Sequence, residues 1–277
     1  MTAPDWRAAN RTNWDERVPL HLASRTMYDQ TALRAGTARP EPISRHVLGP
    51  LAEQKILHLQ CHFGMDSLTL AQHGARVVGV DFSAPAIEAA RALADELGLA
   101  DTARFVVSDV YDIVTALPEP ASFDRVFVSW GALCWLPDMA GWARVIAHFL
   151  KPGGWLALAE AHPAAYVFDD TTQTPDGRPG WYDPYLGRTA LIEDRADDYA
   201  SPGVRMANTR THTWLHPLAD VIGGLLGAGL RLDEFHEHDM IRWKMFNGLV
   251  PSGDGGWRWP DKPWLPLSFS LRASRPG

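Results

Sequence analysis

Residues 55–83 read KILHLQCHFGMDSLTLAQHGARVVGVDFS, and this segment gives the clearest structural signal in the sequence. Two apolar runs, at 55–60 and 76–81, are typical of buried strands, and residues 66–74 between them are predicted to form a helix. Ser83 is a predicted helix N-cap, and the apolar residues after it recur at helical spacing until Gly98, a predicted helix end. The segment therefore predicts two strands, each followed by a helix.

The alternation of strands and helices continues to residue 163. Further strands are predicted at 104–109, 123–129 and 155–160, and Asp138 is predicted to cap another helix. The strands are apolar on both faces, which is typical of a parallel sheet covered by helices on both sides. This pattern predicts an α/β fold with a doubly wound, Rossmann-like sheet. Ligands of such sheets bind beyond the carboxyl ends of the strands, where the chain has Gln60, Asp81, Asp109, Ser129 and Glu160.

The chain divides into four predicted regions. Residues 1–50 precede the alternating pattern and are expected to form a helical cap over the site, while residues 51–163 form the Rossmann-like core. Residues 164–213 interrupt the pattern with a Gly/Pro-rich segment and several aromatic residues, which predicts an inserted lid or substrate subdomain. Residues 214–277 are expected to complete the sheet, with a helix after Pro217 and strands at 230–235 and 267–271.

Composition and charge limit the functions open to the 277-residue chain. It has 26 Lys and Arg against 33 Asp and Glu, so the net charge is 26 − 33 = −7 and a surface for nucleic acid is not expected. No apolar run reaches the roughly 18 residues that span a bilayer, and the first residues show no apolar leader. Cys61 and Cys134 are too few for a disulfide framework or a Cys-rich zinc site. We expect a cytoplasmic monomer or homodimer with neither membrane nor nucleic-acid partners.

The loop after the first predicted strand bears on the cofactor. A loop that binds a dinucleotide needs three glycines, but only Gly64 is present, with Gln60 and His62 at the other two positions. The missing glycines argue against a diphosphate, and an NAD-dependent oxidoreductase is therefore the least favoured alternative. Asp81 is predicted to bind both hydroxyls of a ribose, or else to act as a turn or capping acid. Asp109, at the end of the third strand, is predicted to accept a hydrogen bond from an exocyclic amine such as that of adenine.

Five motifs, in this order, resemble those of the class I S-adenosylmethionine (SAM)-dependent methyltransferases of the small-molecule type. They are residues 57–64 (LHLQCHFG), 79–83 (GVDFS), 105–109 (FVVSD), 129–138 (SWGALCWLPD) and 150–154 (LKPGG). The resemblance implies a seven-stranded, mostly parallel sheet whose last strand is antiparallel. It also implies SAM as the cofactor and methyl transfer by in-line displacement.

The resemblance further assigns cofactor-binding residues. It implies that Gly64 lies against the methionine part of SAM, Asp81 on the ribose and Phe82 against the adenine. The full set expected to bind SAM is Tyr28, Gln60, Gly64, Ser67, Asp81, Phe82, Ser83, Asp109, Val110, Tyr111, Ser129 and Trp130. In the family this loop has the pattern acid-x-Gly-x-Gly-x-Gly. The acidic position and the three glycine positions are occupied here by His58, Gln60, His62 and Gly64. This departure keeps a non-catalytic SAM- or nucleoside-binding protein of the same fold as the alternative function.

Three residues are candidate proton acceptors for the methyl-transfer reaction: His162, His21 and Glu160. A histidine with an ordinary pKa near 6.5 is able to take a proton from a hydroxyl or a ring N–H. Four aromatic residues are expected to line an acceptor pocket between the N-terminal region and the insertion: Trp14, Trp135, Trp181 and Tyr185. Such a pocket favours a small aromatic or heterocyclic acceptor that is methylated on oxygen or nitrogen.

A pair of histidines near the C-terminus raises the question of a metal site. His236 and His238 share one face of a predicted strand. A metal there needs a third ligand, for which Glu160 and His162 are the candidates. Because a solvated strand end is the commoner arrangement, no metal is predicted.

Overall fold

The computed structural model describes residues 5–253 and 255–277. Asp254 and the first four residues of the predicted N-terminal region lie outside it. The helices of the described ranges are α1 (Trp6–Ala23), α2 (Thr31–Arg34), α3 (Pro42–Leu48), α4 (Met65–Gln72), α5 (Ala84–Glu96), α6 (Ile113–Ala116), α7 (Met139–Phe149) and α8 (Leu218–Gly227). None of these helices is long and apolar enough to cross a membrane.

Strands in the same ranges belong either to one large central sheet or to short pairings outside it. The central strands are β1 (Lys55–Leu59), β2 (Arg76–Asp81), β3 (Ala103–Val107), β4 (Phe123–Ser129), β5 (Leu150–Ala161), β12 (Arg231–His238) and β16 (Ser268–Ser274). The short strands are β6 (Phe168–Asp169), β7 (Gly180–Trp181), β8 (Leu191–Asp194), β9 (Asp197–Asp198), β10 (Ser201–Arg205), β11 (Arg210–Thr213), β13 (Met240–Ile241), β14 (Val250–Pro251) and β15 (Trp257–Arg258).

The central sheet has seven strands in the order β12-β16-β5-β4-β1-β2-β3. Strands β1 to β5 pair in parallel, whereas β16 is antiparallel to both of its neighbours, β5 and β12. This confirms the predicted doubly wound, mostly parallel sheet with an antiparallel last strand. The strand order reverses between β1 and β4, so the ligand crevice of such a sheet lies at the carboxyl ends of these two strands.

Helices cover both faces of the sheet, as the two-sided apolar strands predict. On one face α7 and α8 pack around buried Trp142, Phe149 and Phe269. On the other face α3, α4 and α5 pack around buried Leu68 and Phe105. The central strands β1, β2, β4 and β5 therefore bury side chains on both sides, and the polar groups of the site are left to the strand ends.

The predicted bounds differ from the structure at several strand ends: β12 and β16 each end three residues later than predicted, and β3 and β5 differ as well. β3 ends at Val107, because the carboxylate of Asp109 accepts a hydrogen bond from the backbone N–H of Tyr111 and turns the chain. β5 begins at Leu150 rather than at the predicted residue 155, since residues 151–154 lie within the strand. The pairing of β5 with β4 shifts register there, which accommodates the additional residues as a bulge.

The N-terminal helix and the second half of the insertion pack on each other beyond the sheet. Asn10 of α1 and the backbone of His212 exchange two hydrogen bonds of 2.8 Å, one in each direction. The carboxylate of Glu16 accepts from the backbone N–H groups of Ala207 and Asn208, each at 2.7 Å. Within the insertion, β8 pairs antiparallel with β11. We call α1 together with residues 191–213 the cap.

Candidate active site

The loop after β1 keeps the backbone of a glycine-rich loop without most of its glycines. Gln60 and His62 are left-handed, with φ of 56° and 51°, and Gly64 follows with φ of 80°. A residue with a side chain costs about 1 kcal/mol or more in this conformation. Gly64 tolerates no side chain, because a Cβ atom there would lie 2.7 Å from the Phe105 ring. Packing against Phe105 therefore explains why this one glycine is present.

The ends of β1 and β4 carry two buried polar atoms without partners. Gln60 connects the two loops, since its Nε2 donates to the carbonyl oxygen of Ala132 at 2.8 Å, but its Oε1 is buried and unpaired. Trp130, directly after β4, has φ of 44°, and its indole Nε1 is also buried and unpaired. Buried polar atoms without a partner are rare, and a polar ligand between these strand ends would satisfy both.

Asp81 holds the β1 loop against the start of α5. Its Oδ2 accepts from the backbone N–H of His62 at 2.8 Å, and its Oδ1 accepts from that of Ser83 at 3.0 Å. Burial raises the pKa of Asp81 to about 6, so the group is still ionised at pH 7. Each carboxylate oxygen has a second lone pair, and Asp81 therefore remains able to accept hydrogen bonds from ligand hydroxyls.

Helix α1 covers the ends of β2 and β3, on the side where the resemblance implies the adenine. Three contacts fix it there: Ser83 Oγ donates to Asp15 Oδ1 at 2.6 Å, the Arg11 guanidinium lies 5.9 Å from the centre of the Phe82 ring, and Arg7 Nε lies 3.6 Å from Asp109 Oδ2. Val110 is buried nearby in the core. The hydroxyl of Tyr111 donates to the carbonyl oxygen of Asp138 at 3.1 Å.

Beneath the β1 loop, His58 joins three elements of the core. Its Nδ1 is 2.8 Å from Ser67 Oγ on α4, and its Nε2 is 3.4 Å from Ser129 Oγ at the end of β4. Burial lowers the pKa of His58 to about 4, so a neutral ring occupies the position of the family's acidic residue. Ser67 is fully buried and supports the loop from below.

Three side chains form a hydrogen-bonded series from the cap to the β1 loop. Oδ2 of Asp198 lies 3.0 Å from Nε2 of His21 on α1, and Nδ1 of His21 lies 2.8 Å from Nε2 of His62. Arg17 Nη1 donates to the same Oδ2 at 2.8 Å. The side chains of His21 and Asp198 are fully buried. We call this series the Asp198–His21–His62 chain.

The charges of these groups determine which ring nitrogens carry hydrogen. The Asp198 carboxylate only accepts, so Nε2 of His21 carries a proton. Burial lowers the pKa of His21 to about 4, so the ring is neutral at pH 7 and its Nδ1 accepts from His62. Burial, with His21 and Arg17 nearby, also lowers the pKa of His62 well below its ordinary value. Nδ1 of His62 therefore has a free lone pair, and none of the described residues donates a hydrogen bond to it.

Aromatic rings surround His62. The ring centre of Trp14 is 5.3 Å from those of both His62 and Trp135. Tyr28 stacks on His21 at 4.5 Å and lies 5.5 Å from His62. The structure thus brings four predicted site residues together around His62, which was not predicted to be one: Trp14, His21, Tyr28 and Trp135.

Glu160, a predicted proton acceptor, has a structural environment that favours another role. Its buried carboxylate accepts four backbone N–H groups, at 2.5–3.1 Å, from Gly131, Ala132, Leu133 and Ala161. Burial raises the pKa of Glu160, while these hydrogen bonds lower it. With its lone pairs occupied in this way, Glu160 is suited to position the loop after β4 rather than to move protons.

The ring of His162, the first candidate base, has a hydrogen-bond partner at one of its two nitrogens. Its Nδ1 accepts from the backbone N–H of Ala164 at 3.0 Å, and its Nε2 lies 3.0 Å from Oε1 of Glu237 on β12. Its ring packs edge-on against Phe269. Nδ1 is therefore occupied, whereas Nε2 is buried close to Glu237 without a hydrogen bond of good geometry, so a catalytic role for His162 stays a prediction.

Two of the predicted acceptor-binding residues lie in the first half of the insertion. Trp181 is 76% exposed and packs against the Phe168 ring, with centres 5.0 Å apart. The hydroxyl of Tyr185 accepts from the backbone N–H of Leu218 at 3.2 Å. Neither contact joins the aromatic group around His62, and their role in binding an acceptor stays a prediction.

Sequence reasoning missed His62 and Asp198 as candidate functional residues. His62 was considered as a substitute for a glycine and not as a catalytic residue, and Asp198 lies in a segment without regular spacing. One signal was present: four polar residues of α1 recur at helical spacing and all are buried, namely Asn10, Asn13, Arg17 and His21. A polar stripe of this kind indicates a helix that faces other polar groups, as α1 faces the insertion and the β1 loop.

The strand order and the position of the site define the class of this protein. A parallel sheet with one antiparallel strand between β5 and β12, and a polar site at the ends of β1, β2 and β4, is the class I methyltransferase fold. Residues 56–154 match the family model described as a methyltransferase domain. Residues 56–154 are thus similar to a methyltransferase domain, and the sheet around them has the class I methyltransferase fold that the motifs predict.

Known proteins similar to this chain agree with this assignment. The ubiquinone biosynthesis O-methyltransferase of Paracidovorax citrulli is 33% identical over 123 residues, which are 44% of this chain and 49% of that protein. The chain spans about half the length of the curated relatives it matches. A putative SAM-dependent methyltransferase from Listeria monocytogenes superimposes with a TM-score of 0.62 at 18% identity, covering 84% of this chain and 95% of that one. The CcbJ methyltransferase of Streptomyces caelestis has the same TM-score at 17% identity, covering 96% and 98%.

Proposed function

We propose that this protein is a SAM-dependent methyltransferase that methylates an oxygen or nitrogen atom of a small aromatic or heterocyclic molecule. The observation that carries the proposal is the free Nδ1 lone pair of His62, held within the SAM loop of a methyltransferase fold. A protein that only binds SAM has no need of such a group. The curated relatives are named O-methyltransferases, which makes oxygen the first acceptor atom to test.

The residues at the carboxyl edge of the sheet fit SAM. The unpaired Oε1 of Gln60 suits a donor such as the ammonium group of the methionine part. Asp81 retains lone pairs for ribose hydroxyls, and the loop lacks the glycines that a diphosphate requires. When bound, SAM supplies an electrophilic methyl group on a positively charged sulfur.

The cap contributes alignment and exclusion of water. Helix α1 is fastened at one end to the strand ends by Ser83 and at the other to the β1 loop by His21. Holding the nucleophile about 3–3.5 Å from the methyl carbon lowers the barrier by several kcal/mol. The rings of Trp14 and Trp135, which meet edge to face, form one wall for a flat acceptor.

His62 takes the proton that the acceptor loses. As the new bond to carbon forms, a neutral hydroxyl or azole N–H becomes positively charged and strongly acidic. A base of low pKa is then sufficient, and the neutral His62 is available well below pH 6.5. His21 and Asp198 act as positioning residues, because they keep the His62 Nδ1 lone pair free.

The test is a turnover assay with SAM and a panel of phenols, catechols and azoles, in which S-adenosylhomocysteine is measured by mass spectrometry. The decisive variant is His62→Gln, since the Gln amide retains a donor for His21 but has no basic Nδ1. We expect kcat to fall 10²-fold or more while the Kd of SAM changes less than twofold. His148→Gln, a histidine on α7 remote in sequence from the cap and the β1 loop, is the matched control.

Two results would overturn parts of this proposal. Unchanged kcat in His62→Gln together with a large loss in His162→Gln would move the base to β5. SAM binding without turnover of any acceptor in the panel, with equal SAM affinity in wild type and His62→Gln, would favour the non-catalytic binding protein.

A further inference from the structure

Three metal-ligating side chains meet at an edge of the central sheet, where the function proposed above does not use them. Glu234 and His236 lie on one face of the edge strand β12, and His46 lies in the last turn of α3. Their ligand atoms all lie within 4.8 Å of one another. Oε2 of Glu234 is central, at 3.2 Å from Nε2 of His46 and 3.8 Å from Nε2 of His236.

Oε2 of Glu234 is a buried atom without a hydrogen-bond partner, since its approach to His46 does not have the geometry of a hydrogen bond. The other oxygen, Oε1, accepts from Nη1 of Arg272 at 2.8 Å. The carboxylate is therefore fixed on one side and unsatisfied on the side that faces the two imidazoles. An unsatisfied buried carboxylate oxygen is costly, and a bound cation would remove that cost.

Arg272 also orders the second element of the cluster. The same guanidinium donates to the backbone carbonyl oxygens of His46 and, at 2.8 Å, of Val47. One partly buried contact network thus holds α3 and β12 together, so the ligands come from two elements whose separation is already fixed. The imidazoles themselves are 59% and 49% exposed and are free to adjust.

We propose that His46, Glu234 and His236 bind a Zn²⁺ ion, with water as the fourth ligand. Zinc accepts His nitrogen and carboxylate oxygen at about 2.0–2.2 Å in tetrahedral geometry, which separates neighbouring ligand atoms by about 3.3–3.5 Å. The observed 3.2 and 3.8 Å bracket this separation. A shift of about 1 Å by the exposed imidazoles closes the site, while the carboxylate remains on Arg272.

The sequence alone did not reveal this site. His236 and His238 were considered as a pair in need of a third ligand from β5, whereas the structure supplies Glu234 from the same strand and His46 from α3. His238 instead shares a 2.9 Å contact with Ser270 Oγ on β16. α3 is nearly 190 residues from β12 in sequence, so no local pattern connects His46 with Glu234.

The site would fasten α3 to the edge of the sheet, independently of methyl transfer. A ligand that binds the folded state alone raises the melting temperature. Zinc is therefore expected to stabilise the chain, and the loss of any one ligand is expected to abolish that effect.

The test is calorimetric titration of Zn²⁺ alone into the full chain, prepared without a polyhistidine tag and stripped with a chelator. We expect one ion per chain, and at least a 10-fold weaker affinity in each of His46→Ala, His236→Ala and Glu234→Gln. The Gln variant preserves the size of Glu234 and an oxygen for Arg272, so it is expected to fold even if the Ala variants do not. His148→Ala is the matched control and is expected to bind as wild type does.

Substitution with Co²⁺ adds a readout of geometry, because a tetrahedral site gives a strong visible absorption band. No binding up to 100 µM free Zn²⁺ would overturn the proposal. Affinity that is equal in wild type and all three ligand variants would do so as well, since the ion would then lie elsewhere. A weak, octahedral-type Co²⁺ spectrum that is unchanged in Glu234→Gln would likewise exclude the proposed carboxylate ligand.

Discussion

The central sheet and the cap are stabilised in opposite ways. The sheet buries large apolar residues on both faces, among them Phe127, Trp142 and Phe269. The inner face of α1 instead buries polar residues, each of which is paired with the insertion, the β1 loop or its own helix: Asn10, Asn13, Arg17 and His21. Burying a polar group costs free energy unless it is paired. The stability of the cap therefore depends on a few specific hydrogen bonds, whereas the stability of the sheet depends on many apolar contacts that are each small in energy.

The largest expected effect lies where the β1 loop packs on the core of the sheet, at Gly64→Ala. The new Cβ atom would meet the Phe105 ring at 2.7 Å and would also occupy a left-handed backbone. Overpacking costs about 1–3 kcal/mol and the conformation about 1–2 kcal/mol, so we expect the free energy of unfolding to fall by about 4 kcal/mol. Urea denaturation measures this change.

The control for this variant is Gly98→Ala. Gly98 also has a positive φ, of 67°, but has no neighbouring atom within 4 Å of the added Cβ. Only the conformational cost of about 1–2 kcal/mol remains. An equal loss in both variants would mean that contact with Phe105 is not what excludes a side chain at residue 64.

An intermediate effect is expected in the cap, for Asp198→Ala. This change leaves the buried Arg17 without its ion-pair partner and His21 without its acceptor. Removing one partner of a buried pair costs about 3 kcal/mol. Because the pair lies outside the sheet, hydrogen exchange should rise in α1 and residues 197–213 while the amides of β1 and β4 stay protected.

Asp197→Ala is the matched control, since Asp197 is an exposed neighbour. It should leave exchange in α1 unchanged. Equal loss of protection in the sheet and the cap of Asp198→Ala would contradict the view that the cap opens as a separate unit.

The smallest expected effect is a pH dependence of the cap. The pKa of His21 is about 4 when folded against 6.5 in the unfolded chain, so protons bind the unfolded state more strongly between these values. The stability that the neutral His21 contributes is fully present above pH 6.5 and is lost as the pH falls towards 4. Between pH 7.5 and 5.5 the free energy of cap opening should drop by about 1 kcal/mol.

The reference for this measurement is His21→Gln, which keeps a donor for Asp198 but does not titrate. The pKa of Asp81, raised to about 6, works in the opposite direction, because its stabilising effect grows as pH falls from 6. That contribution is common to both proteins and cancels in their difference. Hydrogen exchange of α1 at the two pH values gives the comparison, and identical pH dependence would show that His21 is not buried as described.

The sheet was predictable because its signal is local. Each strand from β1 to β5 is an apolar run followed by a turn or cap, and Asp81, Ser83 and Asp138 end or begin their elements as expected. The Rossmann-like fold and the approximate positions of these strands followed from that pattern, and the ordered motifs added the resemblance to the methyltransferases.

The arrangement of the candidate site was not predictable to the same extent. His21 was selected as a candidate from its place in the N-terminal region, but its partners His62 and Asp198 are 41 and 177 residues away. No periodic pattern marks such pairs, because a hydrogen bond between distant side chains leaves no trace in local spacing. The same holds for His46 and Glu234 at the sheet edge.

The most direct test of the central claim is a thermal-shift measurement with SAM, S-adenosylhomocysteine, NAD and NADP. A ligand at 100 times its Kd stabilises the fold by about 2.7 kcal/mol, which for a chain of this size raises Tm by about 5–10 °C. We predict a shift with SAM and S-adenosylhomocysteine alone, and the same shift in His62→Gln. No shift with these two ligands, or a shift with NAD alone, would contradict the account.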